Sequence, residues 1–199
     1  MGNGRKASKF KVPEFDESIL NPVGDEIVRV VHTRPNQEFS LEKYCRREGI
    51  VCYLPVCRAI KIHNIIQKGN PYSYSSEVLR PRFPSYIFVK RPSALMRSIH
   101  DSNLFARVVP MPYSPERLLE ENHVVRTFEV LGFQQEIEVH SDIPNGWRFL
   151  ITSGIWEGVE GHLLNKDGVD KWTVEIEFCR QAITTTIDPT QYRMVPVDD

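Results

Sequence analysis

The sequence predicts an α+β protein with a first domain of mixed strands and helices and a small five-stranded β-barrel after it. Three observations predict this fold class. The 199 residues are enough for two small domains, since domains most often contain roughly 100 to 150 residues. Helix and strand patterns mix in the first 131 residues, whereas only short strand patterns follow residue 146. An unperiodic stretch that ends in a Pro-Asn-Gly turn separates the two parts.

These patterns divide the chain into a flexible leader (1–25), a first domain (26–131), a linker (132–145) and a second domain (146–199). The first domain opens with the β-branched run Ile27 to Val31. Asn36 is then expected to cap a helix over residues 37–48, which Gly49 ends. The run IVCYLPVC after it is predicted as one strand, with its alternate residues on one side.

Residues 58–80 predict an exposed β-hairpin, because KGNP supplies turn residues between two half-apolar runs. The strand RFPSYIFVK follows, then a short helix near residues 93–100 and a strand at 104–109. Ser114 and Pro115 predict the start of a helix that runs to about Leu131, since a hydroxyl caps the first turn and Pro suits the first helical position.

The second domain is predicted to hold five short strands, and five such strands in about fifty residues indicate a barrel. Its segment GIWEGVEG clusters three glycines, but strand patterns flank them on both sides and no Lys-Ser/Thr follows, which excludes a phosphate loop. The glycines are expected to turn a corner between strands. Trp156 between them would plug the barrel end or stand exposed as a contact.

The composition of the chain limits the classes of function that we expect. A net charge of −1 argues against coating nucleic acid by bulk electrostatics, although a local basic patch stays possible. The four cysteines form no CxxC pair and the six histidines no HExxH motif, so we expect no metal and no cofactor. Without a nucleophile elbow or paired carboxylates we expect no enzyme. Because no apolar run reaches about 18 residues, we expect a cytoplasmic protein without a membrane partner.

The motifs HTRPNQE, GIVCYLPV, RFPSYIFVK, SPERL and GWRFLITSGIWEGVEG together resemble the NusG family of transcription elongation factors. The resemblance covers about residues 26–197. It implies a NusG N-terminal (NGN) domain, which is a sandwich of helices against an antiparallel sheet, joined flexibly to a five-stranded KOW barrel. The leader, the long hairpin and the motif TRPNQE resemble the specialised antiterminator paralogs that serve capsule or exopolysaccharide operons.

Members of this family bind the clamp helices of RNA polymerase and suppress pausing or termination without catalysis. In RFPSYIFVK, a period of two places Tyr86 and Phe88 on one face of the strand and Ile87 and Val89 on the other. The resemblance implies that Tyr86, Phe88 and Met111 contact the polymerase while the opposite face is buried. The alternative is that one or both aromatic residues belong to the core.

Specialised paralogs also contact non-template DNA through basic residues. Here Arg34, Lys43, Arg46 and Arg47 are the candidates, and a solvated helix face is the alternative. For the second domain the resemblance implies a contact with a ribosomal protein or with Rho through Gly154, Ile155, Trp156, Gly158 and Gly161. A competing function is that of a KOW-containing module that binds RNA or the ribosome without polymerase.

Overall fold

The computed structural model describes residues 10–67, 70–92, 97–110, 114–140 and 147–197. Its strands form a four-stranded sheet, a separate two-stranded hairpin and a six-stranded sheet. The elements are β1 (Glu26–Thr33), α1 (Glu38–Arg47), β2 (Val51–Tyr53), β3 (Val56–Gln67), β4 (Asn70–Pro81), β5 (Tyr86–Pro92), α2 (Arg97–His100), β6 (Phe105–Val108), α3 (Pro115–Gly132), β7 (Ile137–His140), β8 (Trp147–Ile151), β9 (Glu160–Lys166), β10 (Val169–Ile176), β11 (Gln181–Thr186) and β12 (Met194–Pro196). This mixture of helices and sheets agrees with the predicted α+β class.

The first sheet has the antiparallel order β2-β5-β1-β6 and is covered on both faces. Helix α1 covers one face, where Leu41 and Cys45 share a core with the strand residues Ile87 and Val89. Helix α3 lies on the other face, and its buried residues Leu118, Val125 and Phe128 belong to a second core. The first domain is therefore a sheet between helices, as the NGN resemblance implies.

The ends of the helices show which of the predicted capping residues act as caps. Ser114 accepts a hydrogen bond from the Arg117 backbone N–H at 3.3 Å, so the predicted cap of α3 is confirmed. Gly49 has a φ of +65° after the end of α1, a conformation that favours glycine. The predicted Asn36 cap is wrong, because Asn36 itself has a φ of +60° and forms a turn before the helix.

The run IVCYLPVC forms two strands, β2 and β3, instead of the one that we predicted. The break falls at Leu54-Pro55, and proline has no N–H to donate to a ladder. Ile50, Leu54 and Val56 nevertheless reach the same core, as their alternation indicated. Strand β3 therefore leaves the first sheet and pairs with β4 in a sheet of its own.

The predicted exposed hairpin is confirmed. Strands β3 and β4 pair in register from Val56 opposite Pro81 to Gln67 opposite Asn70. Of the predicted turn KGNP, residues 68 and 69 lie outside the described residues. Ile62 is 67% exposed, so the middle of the hairpin is not covered by the core of the domain.

The second sheet has the antiparallel order β12-β8-β9-β10-β11-β7. Each of the five predicted strands is present, but the barrel prediction differs from the structure in two respects. A sixth strand, β7, lies within the predicted linker and pairs with β11, and the strand pairing does not close into a barrel. Strand β7 has two apolar residues among polar neighbours, the half-buried Ile137 and the exposed Val139, and this pattern is too weak to distinguish a strand from a linker.

Part of the predicted flexible leader packs against the first domain. Residues 17–20 form a 3₁₀ turn whose Ile19 is fully buried, and the ring of Phe15 lies edge-on to Tyr53 at 4.8 Å between centroids. The Arg126 guanidinium lies 4.9 Å from the centre of the Phe15 ring and donates a hydrogen bond to the Pro13 carbonyl. Residues 1–9 lie outside the described residues.

A buried carboxylate connects α3 to the strands. Glu129 accepts hydrogen bonds from the Tyr53 hydroxyl at 3.0 Å and from the Val56 backbone N–H at 2.8 Å, and it forms an ion pair with Arg126. Burial, followed by the charge of Glu129, raises the pKa of Tyr53 well above its usual range. Glu129 thus satisfies the backbone N–H at the start of β3.

Tyr53 is expected to make the fold sensitive to alkali. The unfolded chain loses the tyrosine proton near pH 10, whereas the folded chain keeps it, so the free energy of unfolding falls as the pH rises above about 10. Tyr53→Phe removes this component. Urea unfolding near pH 8 and near pH 10.5 checks the prediction: the stability advantage of the wild type over Tyr53→Phe should shrink at the higher pH. An equal advantage at both pH values contradicts it.

Candidate functional site

The two faces of β5 differ in what covers them. Ile87 and Val89 point into the core beneath α1 and are fully buried. Tyr86 and Phe88 point to the opposite side, which we call the aromatic face and define by Val28, Val30, Tyr53, Tyr86 and Phe88. The structure thus separates the strand residues between two faces as the period of two predicts.

The aromatic face is not open. Phe178, in the turn between β10 and β11, packs its ring against Phe83, Tyr86 and Phe88 at centroid distances of 5.3, 5.5 and 4.9 Å. All three pairs have the edge-to-face geometry that aromatic rings prefer. Phe88 is fully buried and Tyr86 half-buried as a result. The sequence pattern indicated that this face is available, and the second domain covers it instead.

Polar contacts hold the same turn against α3. The Glu177 backbone N–H donates to the Glu121 carboxylate at 2.5 Å, and the Glu177 carboxylate accepts from Arg117 Nε at 3.1 Å. Glu121 is buried, whereas Arg117 and Glu177 are partly exposed. The buried hydrogen bond fixes where the turn lies, and the exposed ion pair adds little, since such pairs contribute about 0 to 1 kcal/mol.

The glycine loop makes a second contact between the domains. Trp156 is buried, and its ring lies 4.6 Å from that of Phe128 on α3. The neighbouring Ile155 is 55% exposed. Gly154 and Gly158 both have a φ near +80°, so they turn the chain as expected. Of the two alternatives for Trp156, the structure shows neither a barrel plug nor an exposed contact, but a contact with the first domain.

Gly161 meets a different requirement. A Cβ atom at this position would lie 2.6 Å from the Thr173 carbonyl oxygen and 2.8 Å from the Trp172 ring. Glycine is needed there for close packing of β9 against β10, so Gly161 is a structural position in this arrangement.

The four residues predicted to contact nucleic acid are all exposed, but they differ in whether an acidic residue pairs with them. Arg34 precedes α1, and Lys43 lies on its outer surface. Arg46 pairs with Glu42 and Arg47 with Glu48, each at 2.9 Å. The bond to the Glu42 carboxylate raises the pKa of Arg46. Acidic neighbours therefore offset two of the four cations, which weakens any phosphate contact there.

Phe178 is the member of this site that sequence reasoning missed. Its only local signal is that a large aromatic side chain ends the strand pattern KWTVEIEF directly before a turn. Met111, the third predicted polymerase contact, lies outside the described residues. Among the described residues, no group of three or more His, Cys, Asp or Glu side chains could hold a metal ion. Within the same part of the chain, none of the helices combines the length and apolar character of a membrane span.

An aromatic side chain of the second domain, Phe178, thus fills the aromatic face of the first domain. Residues 29–126 match the family model described as transcription termination factor NusG. This match runs from β1 into α3, just under half of the chain, and supports a place for the first domain in the NusG family of transcription factors. Comparison with the curated proteins found no match.

Proposed function

We propose that this protein is a transcription elongation or antitermination factor that binds the clamp helices of RNA polymerase through its aromatic face. The match of residues 29–126 to the NusG family supports a role in transcription. The observation that carries the choice of surface is the aromatic face itself, since large rings at the centre of a patch supply most binding hot spots. Tyr86 and Phe88 are its central rings, and Met111 is the proposed third contact.

Binding to polymerase then requires an open arrangement of the domains. Phe178 fills the space between Phe83, Tyr86 and Phe88, so a partner must displace it. The apparent affinity for polymerase is the intrinsic affinity multiplied by the open fraction. The closed arrangement, with Phe178 on the aromatic face, is therefore the resting form, and the polymerase selects or induces the open one.

The same opening would release the KOW-type second domain for its own partner. Trp156 is held against Phe128 only while the domains are in contact. Once free, Trp156 and the exposed Ile155 form an apolar pair at the glycine loop, suited to a ribosomal protein or to Rho. Polymerase binding and partner binding would thus favour each other, because both use the open form.

Among the basic residues, Arg34 and Lys43 are the better candidates for non-template DNA, because Arg46 and Arg47 are paired with acids. We propose that the protein is one of the specialised paralogs that serve capsule or exopolysaccharide operons. The leader, the long hairpin and the motif TRPNQE support this proposal. Such a factor acts in the cytoplasm on transcription and needs no enzymatic activity.

Tyr86→Ala tests the proposed surface. Phe88→Ala is unsuitable, because truncating a fully buried Phe costs about 3 to 5 kcal/mol of folding stability. Tyr86 also touches Phe178, so its substitution should be made in a chain that already carries Phe178→Ala, where the closed contact is absent in both proteins. We expect Tyr86→Ala to weaken binding to the cognate polymerase about 10- to 100-fold, the size of a hot-spot residue.

Phe39→Ala in the same background is the matched control, since Phe39 is an exposed aromatic residue on α1. Binding is measured with purified polymerase, and read-through is measured by transcription over a terminator with and without the protein. Equal binding by the Tyr86→Ala and Phe39→Ala chains would exclude the aromatic face as the contact. Binding of structured RNA without any polymerase contact would support the competing RNA-binding module.

A further inference from the structure

The hairpin of β3 and β4 has two unlike faces. Residues directly opposite each other on paired strands share a face, and the pairing places His63 opposite Tyr74, Ile65 opposite Tyr72 and Lys61 opposite Ser76 on one of them. We call this the ring face. The other face carries Ile60, Ile62 and Ile66, opposite Glu77, Ser75 and Pro71.

The ring face carries a row of stacked aromatic side chains. The His63 and Tyr74 rings are 4.6 Å apart and almost parallel, at 7°, and Tyr72 stacks against Tyr74 at 6.1 Å. His63 Nε2 is 2.8 Å from Ser76 Oγ, which holds the imidazole in this orientation. Tyr72 is 52% and Tyr74 43% exposed, so the row presents ring surface to solvent.

Charge distinguishes the hairpin from the rest of the chain. Residues 56–81 contain four Lys or Arg and one acid, a net charge of +3, and the whole chain has −1, which leaves −4 for all other residues. Lys61 and Arg80, both exposed, lie on the ring face. The single acid, Glu77, lies on the other face and pairs with Arg58 at 3.5 Å.

We propose that the ring face of the hairpin binds single-stranded nucleic acid, with bases stacked on Tyr72 and Tyr74 and phosphates held by Lys61 and Arg80. Exposed rings in a row beside cations, without an acid on the same face, are the features of sequence-tolerant single-strand binding. A protein partner would find the aliphatic face more suitable, since the ring face offers cations at its edge. The ring face shares no residue with the aromatic face, so this binding does not depend on the polymerase contact.

The test uses the full chain and fluorescent oligonucleotides of about 15 nucleotides, a length that spans a typical single-strand site. The probes are oligo-dT, oligo-rU and a DNA duplex of the same length. Binding of oligo-dT, of oligo-rU or of both in preference to the duplex supports the proposal and identifies the strand. No single-strand binding at about 50 mM salt, or equal binding of the duplex, overturns it.

Tyr72→Ala with Tyr74→Ala is expected to weaken oligonucleotide binding at least about tenfold, because each stacked base contributes substantially to affinity. Ile60→Ala with Ile62→Ala on the opposite face is the matched control and should leave binding unchanged. All four side chains are at least 43% exposed, so neither pair should unfold the protein. Unchanged binding in the tyrosine variant, or an equal loss in the isoleucine variant, overturns the assignment to the ring face.

Lys61→Gln with Arg80→Gln provides an independent measurement. Each cation that neutralises a phosphate contributes about 0.7 to the slope of log affinity against log salt concentration for a single strand, so the removal of both should reduce the slope by about 1.4. A slope equal to that of the wild type between about 50 and 200 mM salt would contradict the proposed phosphate contacts. Because polymerase is absent from these measurements, their failure leaves the proposed polymerase binding untouched.

Discussion

Phe178→Ala is expected to raise the affinity of the protein for RNA polymerase about 10- to 100-fold. The substitution removes a buried ring whose burial contributes about 1.5 to 3 kcal/mol, together with edge-to-face contacts to Phe83, Tyr86 and Phe88. None of these contacts can persist when a polymerase helix covers the aromatic face. Their removal therefore favours the open form, and each 1.4 kcal/mol changes the apparent affinity tenfold.

Trp147→Ala is a suitable control, because Trp147 is an aromatic residue of the same domain that is 80% exposed. It should leave polymerase affinity unchanged. Affinity is measured by titration of both variants against purified polymerase, with thermal unfolding to confirm that each remains folded. If Phe178→Ala binds no more tightly than Trp147→Ala, the contact between the domains does not limit polymerase binding.

Glu129→Ala is expected to reduce the free energy of unfolding by about 3 to 5 kcal/mol, the usual result of removing one partner from a buried ion pair. The substitution leaves the Arg126 cation without its carboxylate. It also leaves the Tyr53 hydroxyl and the Val56 N–H without an acceptor, both in buried positions. Each stranded donor adds its desolvation cost, because alanine offers no acceptor.

Glu120→Ala on the same helix is the control. Glu120 also pairs with an arginine, Arg117, at 3.2 Å, but it is largely exposed, and such pairs contribute about 0 to 1 kcal/mol. Urea unfolding of the two variants measures the difference. A decrease of less than about 1 kcal/mol in Glu129→Ala would mean that the buried network is not a principal support of the fold.

Both predictions concern regions joined to α3, since Glu129 lies on this helix and Glu121 of the same helix accepts a hydrogen bond from the turn that carries Phe178. Glu129 connects α3 to the strands of its own domain, whereas Phe128, the preceding residue, contacts Trp156 of the second domain. Helix α3 also contacts the second domain through polar side chains, because Glu121 and Arg117 both bond to Glu177.

Local signals predicted much of the fold. The Ser114 cap, the glycine that ends α1 and the strand pairing of the hairpin each depend on a few neighbouring residues, and the structure agrees with them. Asn36 shows the limit of such signals. A residue that often caps helices also adopts positive φ readily, and only the surrounding turn decides between the two.

The aromatic face shows the same division between features set by local signals and features set by tertiary contacts. Alternation along RFPSYIFVK was enough to separate Tyr86 and Phe88 from Ile87 and Val89, because the period of a strand is a property of the backbone. The sequence did not predict that Phe178 covers that face. Phe178 lies 90 residues beyond Phe88, and no local pattern in either segment indicates the contact between them. Strand β7 was missed for a related reason: its pairing with β11 compensates for a weak pattern of its own.

The sequence by itself determined the mixed first domain, the strand-rich second domain and which residues of β5 share a face, because capping, turn chemistry and periodicity act between near neighbours. Tertiary structure alone decided that Phe178 closes the aromatic face, that Trp156 contacts Phe128 and that the second sheet has six strands. These features depend on the free energy gained when distant apolar surfaces meet, which local patterns do not encode. For this protein that packing determines whether the proposed binding surface is open or covered.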